Sequence, residues 1–218
     1  MIQVAWLSAS LAFFDGAFAG TPATPPPARN PVVLVHGIHS SSGDFARLAR
    51  HLRADGHEVL ALDLKPADGR ADLAVLAQQV ADFTNAHLPG RRFDLVGFSM
   101  GGLVSRYYVQ RLGGADRVDH FITLAAPHHG TVMAGMSSAP GVKQMRPGSP
   151  FLRDLERDED ALKRVKFTTF YTPLDLVVVP GASGEMPQAH NVRIWALLHP
   201  SLILERRCIR AVAEALRG

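Results

Sequence analysis

A single cysteine, Cys208, stands in the 218 residues, so no disulfide can form within the chain. It falls at core spacing in an expected C-terminal helix, where a buried thiol acts as a small hydrophobe. No Gly-rich turn presents it as a nucleophile. Charge of one sign is lacking too: 23 Lys and Arg against 20 Asp and Glu leave a formal net charge of +3. The arginines are scattered along the chain, and without a concentrated basic patch no nucleic-acid binding is expected. Internal repeats are absent. Beyond the N-terminus, no run is long and apolar enough to span a bilayer. With 47% hydrophobic and 20% charged residues, the chain is that of an ordinary globular protein of one domain.

The N-terminus differs from the rest. Ile2 to Ala19 is largely apolar and ends in Ala17-Phe18-Ala19, an A-x-A-like cleavage signal. No Lys or Arg precedes the apolar stretch, and Asp15 inside it argues against a membrane-spanning helix. Thr21 to Pro27 carries four prolines and reads as a linker. Residues 1–30 are therefore expected to be a signal peptide plus linker. The protein would then be secreted or periplasmic, and otherwise cytoplasmic.

From Pro31, short apolar runs alternate with helical patterns. Val32–Val35, Glu58–Leu64, Phe93–Phe98, His120–Ala125, Phe167–Tyr171 and Val192–Leu197 read as strands. Helical stripes run through Phe45, Leu48 and Leu52, then Leu73, Leu76 and Val80, then Leu103, Val104 and Tyr108, and last Ile203, Cys208, Ile209, Val212 and Leu216. This order predicts about six mostly parallel strands with helices on both faces. One insertion, residues 128–164, breaks the rhythm. It is rich in Gly, Pro, Met and Ser at first, then opens a short helix with Ser149 as cap and Pro150 at its first position. Such an insertion is expected to be a lid or cap over the site, and its apolar groups suit flexible acyl chains.

Gly97-Phe98-Ser99-Met100-Gly101 matches G-x-S-x-G between a strand and a helix, as a nucleophile elbow requires. The two glycines relieve collision across the sharp turn. A serine nucleophile needs a base, and the base an orienting acid. Asp175 follows the fifth strand and His199 the sixth, so both fall at the sheet edge that carries Ser99. His190 is a rival base, but it precedes the last strand. Asp154, Asp158 and Asp160 are rival acids in a charged, solvated stretch. Two oxyanion donors are expected from the N–H groups of Ile38 and Met100, with His36 as a structural hydrogen-bonding residue. His128, His129, Met133 and Phe151 are candidate substrate contacts.

These stretches, together with Val35-His36-Gly37-Ile38, Leu124-Ala125-Ala126-Pro127-His128-His129-Gly130-Thr131 and Tyr171-Thr172-Pro173-Leu174-Asp175, make the chain resemble small bacterial lipases and esterases of the α/β-hydrolase superfamily. The resemblance covers about residues 31 to 217. It implies a minimal α/β-hydrolase fold, a triad of Ser99, Asp175 and His199, and hydrolysis of ester or lipid substrates through an acyl-enzyme. In one respect the chain departs from such proteins: Leu198 rather than Gly precedes His199. No cofactor and no metal is expected, since the mechanism needs none and no acidic loop is seen. A monomer with transient contact to lipid interfaces is the expected form. An acyltransferase, a thioesterase, or an inactive binding protein of the same fold are the alternatives.

Overall fold

The computed structural model describes residues 29–218, so the expected signal peptide and the Pro-rich linker lie outside the described residues. Six strands, β1 (Val32–Val35), β2 (Val59–Leu62), β3 (Phe93–Phe98), β4 (Val118–Leu124), β5 (Lys166–Tyr171) and β6 (His190–Arg193), form one sheet in the order β2-β1-β3-β4-β5-β6. Every pairing is parallel. The strands read as continuous apolar runs because both faces are covered. On one face, Val33, Val35 and Leu95 pack beneath α2 (Leu73–His87) and α3 (Met100–Arg111). On the other, Val32, Leu34 and Val96 pack beneath α1 (Ala46–Ala54) and α7 (Arg206–Ala215).

The insertion after β4 holds α4 (Pro140–Gln144) and α5 (Pro150–Glu156) and no strand. Ser149 caps α5 as expected: its hydroxyl accepts from Leu152 N–H at 3.2 Å and donates to Gln144 O at 2.6 Å. Two expectations are corrected. The sixth strand ends at Arg193 rather than Leu197, and Ile194–Leu198 forms a loop with Trp195, Leu197 and Leu198 more than half exposed. The last helix is interrupted at Glu205, whose extended backbone separates α6 (Ser201–Leu204) from α7. No helix of the described residues is long and apolar enough to cross a membrane.

Candidate active site

Ser99 joins β3 to α3 with φ 54° and ψ −124°, a left-handed conformation that costs a non-Gly residue energy. Packing enforces it. Ser99 N–H donates to Leu124 O at 2.8 Å, and Gly102 N–H donates back to Ser99 O at 2.9 Å. A Cβ on Gly97 would stand 2.7 Å from both Gly101 O and Gly102 Cα. Gly101 faces a different obstacle, the backbone carbonyls of Val35 and His36 at the end of β1. The second glycine thus answers the neighbouring strand, not a side chain at position 97. Gly37 is held as closely, since a Cβ there would approach Ser99 Cβ to 2.9 Å.

That approach brings the loop after β1 against the nucleophile. Met100 N–H is the first of α3 and has no acceptor within its own helix. Among the described residues, no backbone acceptor takes the Ile38 N–H either. His36 fixes the loop: its Nδ1 lies 2.8 Å from Gly37 O, and its Nε2 accepts from Leu64 N–H at 3.0 Å. One nitrogen donates and the other accepts, so the ring is neutral and its role is structural.

His199 and Asp175 meet at the same edge. His199 Nδ1 donates to Asp175 Oδ2 at 2.8 Å. The other carboxylate oxygen accepts from Val177 N–H at 2.8 Å and Val178 N–H at 2.9 Å. Three donors therefore hold an almost fully buried carboxylate in one orientation. Thr172 Oγ1 donates to Ala196 O at 2.8 Å and ties the Asp175 loop to the His199 loop. Thr131 does the same for the insertion, donating to Val177 O at 2.8 Å and accepting from Val179 N–H at 3.0 Å. Thr172 directly follows β5 and Thr131 lies seven residues beyond β4, and in the sequence neither hydroxyl marks its partner. The His199 ring lies 4.8 Å from that of Phe98, the residue before Ser99. Its Nε2 is buried and has no hydrogen-bond partner, Ser99 Oγ included. A buried ring nitrogen left unpaired is costly, and this is the atom that would take the proton from Ser99.

The rivals are elsewhere. His190 opens β6 at the opposite end of the strand. Asp154 and Asp158 bind Arg111, and Asp160 binds Lys163. A second Asp–His pair, Asp94 and His120 at 2.9 Å, sits where β3 and β4 begin, at the edge away from Ser99. Cys208 is buried, and burial pushes its thiol up to about 12, so it stays protonated and inert.

The expected substrate contacts are partly corrected. His128 is fully buried, with Nε2 2.9 Å from Thr123 Oγ1 and its ring edge on Phe167. Burial, with the Arg106 charge adding to it, holds its pKa well below 6.5. Phe151 is core as well, stacked on Tyr107 at 5.5 Å. His129 is turned to Glu185 O at 3.1 Å and Glu156 at 3.8 Å. Of the four, His129 and Met133 are exposed, and of these two Met133, beside Val132 and Met136, is the one whose side chain has no polar partner among the described residues.

A family model for palmitoyl protein thioesterases matches residues 31–174, which include Ile38, Ser99 and Met100. The chain belongs to the palmitoyl protein thioesterase family. Asp175 and His199 lie just beyond that match. The human (Homo sapiens) lysosomal thioesterase PPT2 is 32% identical over 136 residues, 59% of this chain and 44% of that protein. The probable esterase PIR7A of Oryza sativa subsp. indica is 36% identical over 101 residues, 43% of this chain and 38% of that protein. The chain thus spans less than half the length of these relatives. Among solved structures, Bacillus licheniformis lipase BlEst2 in mature form superposes with TM-score 0.71 at 21% identity, covering 89% of this chain and 94% of that one. Aspergillus fumigatus lipase B gives 0.72 at 21% identity, covering 87% and 53%. Both share the α/β-hydrolase fold.

Proposed function

We propose that this member of the palmitoyl protein thioesterase family is a serine hydrolase of long-chain acyl thioesters, acting through an acyl-enzyme on Ser99. The observation that carries the hydrolase reading is the buried, unpartnered His199 Nε2, oriented by Asp175 at the edge where the strained Ser99 stands. His199 Nε2 takes the Ser99 proton as Oγ attacks the carbonyl carbon, and the Ile38 and Met100 N–H groups receive the oxyanion. Collapse breaks the C–S bond. The thiol, with a pKa of about 8.5, leaves readily even before His199 returns the proton. Water, deprotonated by His199, then releases the fatty acid and regenerates Ser99.

Family membership supports thioesters over oxyesters. Cleavage of oxyesters is the second reading, favoured by the similarity to the probable esterase PIR7A. The discriminating measurement is kcat/KM for a palmitoyl thioester and a palmitoyl oxyester, each divided by its uncatalysed rate, with Ser99→Ala as blank. A ratio of about tenfold or more for the thioester is expected. Equal or reversed values would make the protein an oxyester hydrolase. Added alcohol should not divert the acyl group, as it would in an acyltransferase. An exported location fits the apolar leader ending in Ala17-Phe18-Ala19 and the lysosomal thioesterase among the relatives.

A further inference from the structure

A groove of about 560 Å³ runs between α1 and α7, lined by Arg47, Arg50, Arg206 and Arg210 together with Leu204 and Ile209. Both helices begin at the sheet edge that carries Ser99, α1 after β1 and α7 after the His199 loop. The arginines are scattered in sequence, and the fold gathers four of them on one flank. This overturns the expectation that no concentrated basic patch exists. The nearby carboxylates are engaged elsewhere: Glu205 holds Arg207 at 2.7 Å, and Asp55 is paired with Arg217. Among the described residues, none pairs with the four lining arginines. A chain of formal net charge +3 therefore presents four uncompensated cations together.

Apolar groups adjoin this patch. Leu204 lines the groove and is 40% exposed, and Trp195, Leu197 and Leu198 stand 57%, 73% and 62% exposed in the loop that carries His199. The Arg207 guanidinium donates to Trp195 O and joins the two patches. Guanidinium groups beside an exposed indole and leucines suit a bilayer surface, where phosphates meet the cations and the acyl boundary meets the apolar tips. A small free anion would leave those apolar groups in water, and a nucleic acid would not use them.

We propose that the α1/α7 groove and the Trp195–Leu198 loop dock the protein onto an anionic lipid surface. Docked so, the Trp195–Leu198 loop, which leads into His199, would lie against the bilayer. In what it implies for substrate, this deepens the proposed hydrolase reading, since acylated substrates held at a membrane would reach the site from that side.

The test is vesicle sedimentation with the Ser99→Ala protein, so that its outcome does not depend on catalysis. Vesicles of phosphatidylcholine alone are compared with vesicles containing about a third phosphatidylglycerol. Tighter binding to the anionic vesicles is expected, weakening with salt. In the triple variant Arg50→Gln/Arg206→Gln/Arg210→Gln it should fall about tenfold or more. The same substitutions in the Ser99 protein should leave thermal midpoint and turnover of a soluble short-chain thioester unchanged. Equal binding to both vesicle types, or undiminished binding by the folded triple variant, overturns the proposal. So does a saturable complex with inorganic pyrophosphate or duplex DNA that is lost in the triple variant while vesicles are not bound.

Discussion

Three residues from three strand ends carry the proposed chemistry, and each can be removed separately. Ser99→Ala and His199→Ala should each lower kcat by several orders of magnitude, and the double variant should be little worse than either, because the two act as one unit. Asp175→Asn should cost roughly 10⁴-fold, since an amide beside Nδ1 favours the wrong tautomer of His199. Steady-state kinetics with His190→Ala alongside decides the base: full activity is expected there, and its loss would reverse the assignment. The oxyanion donors are backbone groups and resist side-chain deletion. Ile38→Ala should keep most activity, whereas Ile38→Pro removes the N–H and should cost about 100- to 1,000-fold in kcat. Circular dichroism of Ile38→Pro separates a lost donor from a lost fold. The order of the proposed triad was legible because each member follows an apolar run. The anchors Thr131 and Thr172 were not, since a hydroxyl beyond a strand looks the same whether or not its partner lies across a loop.

At the scale of elements, the parallel strands and their helices were readable, because burial on both faces writes continuous apolar runs such as Val32–Val35. The same rule misleads at Ile194–Leu198. That run is apolar but belongs to a loop, where Trp195, Leu197 and Leu198 face outward. Apolar content alone does not tell a buried strand from an exposed rim. The insertion shows the same division. Val142, Met145, Phe151 and Leu152 are buried, while Val132 and Met136 are 57% and 81% exposed. The segment is therefore core at Ala134 and from Val142 onward, and of its large apolar side chains only those of Val132, Met133 and Met136 are left open. Met145→Ala or Phe151→Ala should cost about 2–5 kcal/mol and depress turnover of all substrates alike. Met133→Gln/Met136→Gln should leave stability within about 0.5 kcal/mol and hurt long-chain acyl substrates more than short ones. Urea midpoints and a chain-length series read both effects. Equal losses across chain lengths in the folded double variant would remove Met133 and Met136 from the acyl site.

For the whole molecule, the insertion is tied to α3 through charge buried in the core. Arg106 on α3 is fully buried, bonded to Glu159 at 3.0 Å, His128 O at 3.1 Å and Gln110 at 2.8 Å. Burial lowers its pKa only to about 10, so it stays cationic at every pH of interest. Its neighbour His128 is then neutral in the fold, held well below 6.5 by burial first and by the Arg106 and His129 charges next. In the unfolded chain His128 titrates normally. As pH falls through 6.5 the unfolded state takes up a proton that the native state refuses. Stability contributed by this site is therefore full above 6.5 and declines below it, down to the depressed native value. The slope approaches about 1.4 kcal/mol per pH unit for one proton. Asp119, partly exposed and bonded to Arg92 and Asn30, cannot mimic this window, since its pKa lies beneath 3.8. Urea unfolding from pH 7 to about 5 should show stability falling as pH drops, and His128→Gln should flatten that slope by close to one proton. Gln can still bond Thr123 but carries no titratable group. If the slope in the folded variant matched that of the parent, the acid sensitivity would not belong to His128.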